Sequence, residues 1–220
     1  MEDNKLIIAY WDFQGLAHPT RLLLSYFKVL FEDKIYQERD DWFKKDKLTI
    51  KSPCPNLPYV QDGDLILTES LACIQYAAMK TGRKDLLGKN DLDSVRIAQL
   101  WGVSRDLIVA LGRLAWNPEF EKEKETVRKE KAEPILSNLA KAVGEQDYPI
   151  GYLTWADFVC VHAIDVASRL WPDLVSAHPN LIKYRDRILS NEGIQAYRKS
   201  EKYTNLFLPT RASWSGEEKI

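Results

Sequence analysis

Tyr10-Trp11-Asp12-Phe13-Gln14-Gly15-Leu16-Ala17-His18-Pro19 is the stretch on which the reading of this chain turns. Leu6-Ile7-Ile8-Ala9 ahead of it is a short apolar run with a β-branched centre, long enough for one buried strand. Gly15 breaks the run, and Pro19 stands where a helix can begin, ahead of Leu22-Leu23-Leu24 and Phe27. Proline is tolerated in a first helical turn, because the N–H it lacks would be unpaired there anyway. The pattern puts Tyr10 at the carboxyl end of a strand, just before a helix. In open α/β sheets ligands bind at that place, helped by free N–H groups at the helix start. A phenol there is able to donate a hydrogen bond to an anion such as a thiolate. Taken alone, Tyr10 and Trp11 fit ordinary strand-end aromatics as well.

Working outward, Phe31 to Tyr36 reads as a second strand anchored by Ile35 and Tyr36. The mixed charges and aromatics from Arg39 to Lys47 suit either an exposed short helix or the wall of a polar site. Ser52-Pro53-Cys54-Pro55-Asn56 is turn chemistry leading into Leu57-Pro58-Tyr59-Val60-Gln61. A proline opening a strand cannot donate to the sheet, and one reason for its presence is a cis bond that frees the backbone before it for a ligand. Gln61-Asp62-Gly63-Asp64 reads as a tight hairpin turn, with Leu65-Ile66-Leu67 returning. Thr68-Glu69-Ser70 then opens a helix through Ile74, Tyr76 and Met79 to a stop near Gly82. The Ser70 hydroxyl and N–H at that helix start suit a carboxylate, and Glu69 suits a neighbouring ammonium. A plain N-cap is the alternative.

The stretch 83–90, charged and flanked by Gly82 with Gly88 inside it, is the expected linker. From Asp91 the pattern becomes helical only. Leu92, Val95, Leu100, Val103, Leu107, Leu111 and Leu114 recur at helical spacing, and Asn117-Pro118 ends that helix. Eleven of the 15 residues from Glu119 to Glu133 are charged with mixed sign, which marks a solvated face. Pro134 is expected to kink this helix. Thr154 and Asp157 have capping-box spacing. His162 reads as a packed or partly exposed imidazole. The tail from Phe207-Leu208-Pro209 to Trp214 has enough apolar surface to fold back over a site.

The 220 residues can hold one large domain or two small ones. With 31 basic against 32 acidic side chains, nothing argues for a nucleic-acid or anionic-membrane partner. No apolar run approaches the roughly 18 residues of a membrane span, and the amino terminus lacks a signal-peptide pattern. Cys54, Cys73 and Cys160 have neither metal-ligand nor Cys-x-x-Cys spacing. A cytoplasmic protein of a reducing compartment is expected.

Taken in order, Tyr10-Trp11-Asp12, Gly15-Leu16-Ala17-His18, Arg21-Leu22-Leu23-Leu24, Asn56-Leu57-Pro58-Tyr59, Glu69-Ser70, Trp116-Asn117-Pro118-Glu119-Phe120-Glu121 and Thr154-Trp155-Ala156-Asp157-Phe158 resemble cytosolic glutathione transferases. The likeness is closest to the mu class and runs from about Leu6 to Trp214. It implies an α/β plus all-α architecture: a thioredoxin-like glutathione-binding domain over 1–82, a linker over 83–90, and a helical domain over 91–220 forming the electrophile site. The implied reaction joins the thiolate of reduced glutathione to small hydrophobic electrophiles. An isomerase of a lipid or keto substrate and a non-catalytic ligand-binding relative are the alternatives. Glutathione is then a co-substrate, with no cofactor and no metal.

The resemblance further implies that Tyr10 is catalytic and that Trp11, Arg39, Trp42, Lys47, Asn56, Leu57, Pro58, Glu69 and Ser70 bind glutathione. Lys45 competes with Lys47 for its role. The bond before Pro58 is implied to be cis. Trp11, Leu16 and Trp116 are implied to touch the electrophile. A homodimer is implied, in which Asp106 reaches the glutathione of the other subunit. The loop before Trp42 is shorter than in the mu class and has sigma-like character. Cys54 stands where the mu class has a large aromatic that keys into its partner, and Trp116 stands where it has a tyrosine.

Overall fold

A computed structural model describes residues 5–218; the outermost residues of the two expected domains, 1–4 and 219–220, lie outside the described residues. β1 (Leu6–Trp11) runs parallel to β2 (Phe31–Tyr36), with α1 (His18–Tyr26) crossing between them. β3 (Tyr59–Asp62) and β4 (Leu65–Thr68) form an antiparallel hairpin on the other side of β1. The sheet order is therefore β2-β1-β3-β4, the thioredoxin-like arrangement that was expected. Gly63 supplies the positive φ of the hairpin turn, at +60°. The Leu57–Pro58 bond is cis.

Between β2 and β3 a π-helical turn, Asp41–Asp46, runs into the short α2 (Lys47–Thr49). α3 (Ser70–Lys80) follows the hairpin. The expected linker is not a free strand of chain: Lys84–Leu87 is a 3-10 turn whose Leu86 is fully buried, and the Lys89 N–H donates to the Tyr152 hydroxyl at 3.0 Å. An apolar side chain in a charged stretch is enough to dock it.

The remainder is helical: α4 (Asp91–Ala115), α5 (Phe120–Val127), α6 (Glu133–Val143), α7 (Trp155–Leu170), α8 (Pro172–Ser176), α9 (Pro179–Leu189) and α10 (Glu192–Arg198). Leu100, Leu107, Leu111 and Leu114 of α4 face the core as their spacing requires, but Leu92 and Val95 are exposed. Pro134 comes just after a π-helical turn, Arg128–Ala132, that joins α5 to α6. A wide turn is a common way to accommodate a residue without an N–H. The start of α7 is pinned by Asp157, whose buried carboxylate accepts from the Thr154 N–H (2.6 Å) and hydroxyl (2.7 Å) and from the Tyr184 hydroxyl (2.6 Å).

α7 packs on α4 and α1, and this seam contains two histidines. His18 and His162 are both buried, with ring centroids 5.0 Å apart. His162 Nε2 lies 3.1 Å from the Gly15 carbonyl, which can only accept, so this nitrogen carries the proton. Burial, aided by Arg169, holds His162 down to about 3, and burial with His162 and Arg21 holds His18 well below the usual imidazole range. An unfolded histidine titrates near 6.5, so below that pH the unfolded chain binds more protons and stability falls as the pH drops. Asp157, pushed up to about 6 by burial, acts in the opposite sense. The informative quantity is therefore the difference between wild type and His162→Gln. Urea unfolding between pH 6 and 4 should give a slope shallower in the variant by about 1.4 kcal/mol per pH unit. Equal slopes would show that His162 is not held neutral.

Candidate active site

Tyr10 is the penultimate residue of β1 and pairs with Ile35. The antiparallel ladder ends at Ala9 and Tyr59, so Tyr10 and Pro58 are the residues adjoining its end. Its ring meets Phe13 edge-on at 5.5 Å. The chain then folds over the phenol: Gly15 has φ +42°, and a Cβ there would lie 2.7 Å from Tyr10 Cε1 and 2.8 Å from its oxygen. Only glycine permits this approach. The next N–H, of Leu16, points at the Tyr10 oxygen from 3.4 Å. Burial pushes the phenol above its ordinary pKa of 10, against the Leu16 N–H and Arg21, which pull it down. The hydroxyl thus keeps its proton at neutral pH and is a donor rather than a base.

On one side of Tyr10 lies a cavity of about 520 Å³. Gly15 and Leu16 line it from the sheet-bearing part. Ile108 and Gly112 line it from one face of α4, Trp116 from the residue just past that helix, and Phe207 and Leu208 from the tail. The tail does fold back, with Phe207 packed on Trp214 and His162. Trp116 is 45% exposed, with the Arg211 guanidinium 5.7 Å over its ring. Arg113 is the charged residue in this largely apolar lining, to which Asn117 adds a polar side chain. Trp11 does not line the cavity. It packs against Tyr36 and Phe43.

The polar candidates gather around two features. At the first, Glu69 precedes α3 with φ +74° and ψ +129°, a conformation that non-glycine residues rarely adopt without a functional reason. Its side chain does not cap the helix. It accepts from Asn56 Nδ2 at 2.7 Å. Ser70 is the first helical residue, so the plain N-cap alternative does not hold. The second feature is Phe43, an exposed ring with Arg39 5.2 Å and Lys47 5.4 Å from its centroid. Trp42, beside it in sequence, is buried against Tyr36 and Tyr59. Lys45 pairs instead with Asp41 at 2.7 Å, which leaves Lys47 as the cation beside Arg39. Asp106 is exposed on α4, and Leu57 is buried.

A family model described as the glutathione S-transferase N-terminal domain matches residues 7–79, and one described as its C-terminal domain matches 105–201. The class-mu 26 kDa isozyme 51 of Fasciola hepatica is 33% identical over 199 residues, which is 89% of this chain and 89% of that protein. The chain belongs to the glutathione S-transferase family. Glutathione S-transferase Mu 1 of Homo sapiens is 32% identical over 206 residues, covering 90% of this chain and 92% of that one. The crystal structure of the glutathione S-transferase Blo t 8 shares the fold with a TM-score of 0.83 at 24% identity, over 95% of this chain and 99% of that chain. This transferase is therefore an enzyme of a family that uses glutathione as co-substrate.

Sequence reasoning did not single out Ile108, Gly112 and Arg113 as site residues. A signal was present: stepping back from Trp116 by four residues along a helix reaches Gly112 and then Ile108 on the same face. No comparable signal marks Gln14, whose buried side chain donates to the Tyr203 hydroxyl and the Thr204 carbonyl about 190 residues away.

Proposed function

We propose that this transferase joins the thiolate of reduced glutathione to small hydrophobic electrophiles, with Tyr10 donating a hydrogen bond to the thiolate. The observation that carries the reading is a buried phenol on the wall of a largely apolar cavity, at the end of the strand whose ladder stops beside the cis Leu57–Pro58 bond. Glutathione is a zwitterionic γ-glutamyl head, a backbone and a thiol. Ser70 at the start of α3 suits the carboxylate of the head, and Glu69, braced by Asn56, suits its ammonium. The backbone of Leu57 before Pro58 suits the cysteinyl unit. Arg39, Lys47 and Trp42 suit the glycyl end, with Trp11 supporting Phe43 between the two cations. Leu16 and Trp116 line the electrophile side. The functional units are 1–82 for glutathione, 83–90 as connector and 91–220 for the electrophile, in a cytoplasmic protein.

A free thiol has a pKa of about 8.5, so little thiolate exists at neutral pH. A donor to the charged form lowers that value, by about 1.4 kcal/mol for each pKa unit. With a haloarene, the thiolate sulfur bonds to ring carbon, chloride leaves with the bonding pair, and the thiol proton has already gone to solvent. Tyr10→Phe should leave glutathione affinity nearly intact and raise the pKa of the bound thiol by about 1–2. Thiolate absorbance against pH, in both proteins, measures it. Superimposable titrations would remove Tyr10 from this role.

Trp116 offers one indole N–H, from a different position than a tyrosine hydroxyl would. Losing a well-placed donor costs about 10²–10³ in rate where charge builds on oxygen. Epoxide opening builds such charge, whereas aromatic substitution spreads it into a nitro-bearing ring. Wild type should therefore favour halo-nitroarenes, and Trp116→Tyr should improve epoxides selectively. The comparison is kcat/KM for both substrate types in both proteins. Parallel changes, or a wild type that already prefers epoxides, would defeat the idea.

The homodimer reading draws on exposed apolar side chains at Leu65 of β4, Met79 of α3, and Leu92 and Val95 of α4. Such side chains on successive elements suit a partner surface. Asp106 then approaches the other subunit's glutathione. Cys54, exposed and small, cannot act as an inserted aromatic key, so the contact is flatter and weaker. Light scattering across a dilution series should show a dimer that dissociates. A fully active monomer at assay concentration would refute the shared-site account.

A further inference from the structure

The carboxylate of Glu218 is 8% exposed, although it sits near the end of a polar tail. Arg198 of α10 and the Tyr203 hydroxyl both donate to it, and Arg169 of α7 lies 3.5 Å from it. Its N–H donates to the Asn205 carbonyl at 2.8 Å. The contact thus closes 205–218 into a strap, with an outgoing limb at 205–208 and a returning limb at 214–218.

The two limbs hold one another. Leu208 N–H donates to the Ser215 carbonyl at 3.0 Å, and Arg169 reaches the Gly216 carbonyl at 2.8 Å. Gly216 lies so close to Phe207 and Trp214 that a Cβ would come within 2.9 and 3.0 Å of them. The outgoing limb in turn holds the turn over Tyr10. The carbonyls of Leu206 and Phe207 accept from the N–H groups of Gln14 (2.8 Å) and Gly15 (3.1 Å). Arg169 donates to Gln14 Oε1 at 3.0 Å. The next residue, Leu16, places its N–H on the Tyr10 oxygen. Phe207 and Leu208 of the same limb wall the cavity.

We propose that Glu218 is a positioning residue for conjugation: by latching the returning limb to Arg198, Tyr203 and Arg169, it holds Phe207 and Leu208 against the electrophile and the 14–16 turn over Tyr10. Glu218 touches neither substrate. The inference rests on the conjugating function proposed above. The polar candidates for glutathione, Glu69, Ser70, Asn56, Arg39 and Lys47, make no bond to the strap. A loosened latch therefore affects the two substrates unequally.

The test compares wild type, Glu218→Gln and Arg198→Met with glutathione and chlorodinitrobenzene, together with the rate of trypsin cleavage after the exposed Arg211. Each variant removes one charged partner, worth about tenfold or more in the population of the opened strap. Cleavage at Arg211 should accelerate by about that factor. KM for the electrophile should rise about fivefold or more while KM for glutathione stays within about twofold. Unchanged cleavage in both variants would show that there is no latch. Faster cleavage with an unmoved electrophile KM would show a latch that positions nothing. Equal rises in both KM values would reveal general loosening, and each of these overturns the proposal. A wild type that conjugates nothing would instead fail the functional reading, and the cleavage rates would still report on the latch itself.

Discussion

The turn between β1 and α1 has backbone polar groups that no local structure can satisfy, and the rest of the molecule is arranged to satisfy them. Gly15 offers its carbonyl to His162 of α7 and its N–H to Phe207 of the tail. Gln14 gives its N–H to Leu206 and exchanges side-chain bonds with Tyr203, Thr204 and Arg169. Arg21 of α1, buried and paired with Asp33 at 2.8 Å, reaches back to the Phe13 carbonyl at 3.3 Å. An unpaired buried amide costs about 1–3 kcal/mol, so opening any one of these contacts without replacement is expensive. The helical part is thus needed to complete the turn that shapes the candidate catalytic residue.

That arrangement explains how one phenol can serve two environments. Tyr10 is enclosed by Gly15, Phe13 and Leu16, and burial raises its pKa so that it remains a donor. A donor of fixed direction in a poorly solvated site stabilises a developing anion more than the same group does in water. The buried Arg21–Asp33 pair contributes less to stability than its geometry suggests, because desolvating both charges offsets much of their attraction. Its visible effect is orientation: the guanidinium is fixed by Asp33 and so presents a donor to Phe13.

The candidate glutathione face is built by different means, mostly within one neighbourhood of the chain. Glu69 is held at positive φ between β4 and α3, and its carboxylate is braced by Asn56 from the loop before β3. Thr68 fastens that loop again through its hydroxyl to the Cys54 carbonyl at 2.7 Å. These contacts span at most 14 residues. The electrophile side joins residues from β1, α4 and the carboxyl tail. The first face can therefore be preorganised by local geometry, and the second depends on how the parts dock.

What the sequence determined by itself follows the same division. The β1–turn–α1 unit, the Gly63 hairpin, the start of α3 near Ser70 and the Asp157 carboxylate accepting the Thr154 N–H were all legible in the residues, while the cis bond before Pro58 was implied by the family resemblance. Each arises from a proline, a glycine or a side chain acting on backbone within a few residues. The different surroundings of Lys45 and Lys47 were not legible. Lys45 pairs with Asp41, whereas Lys47 and Arg39 lie beside the Phe43 ring. Periodicity marked Leu92 and Val95 as apolar face but could not say that they stay exposed among the described residues. Composition marked 83–90 as a linker, yet Leu86 docks it in the core. The enclosure of Gln14, and the capture of Glu218 by Arg198 and Arg169, were decided by tertiary structure alone. A polar side chain carries no pattern that reveals a partner on another element, whether about 190 residues away as for Gln14 or 20 as for Glu218 and Arg198, because only packing brings the two together.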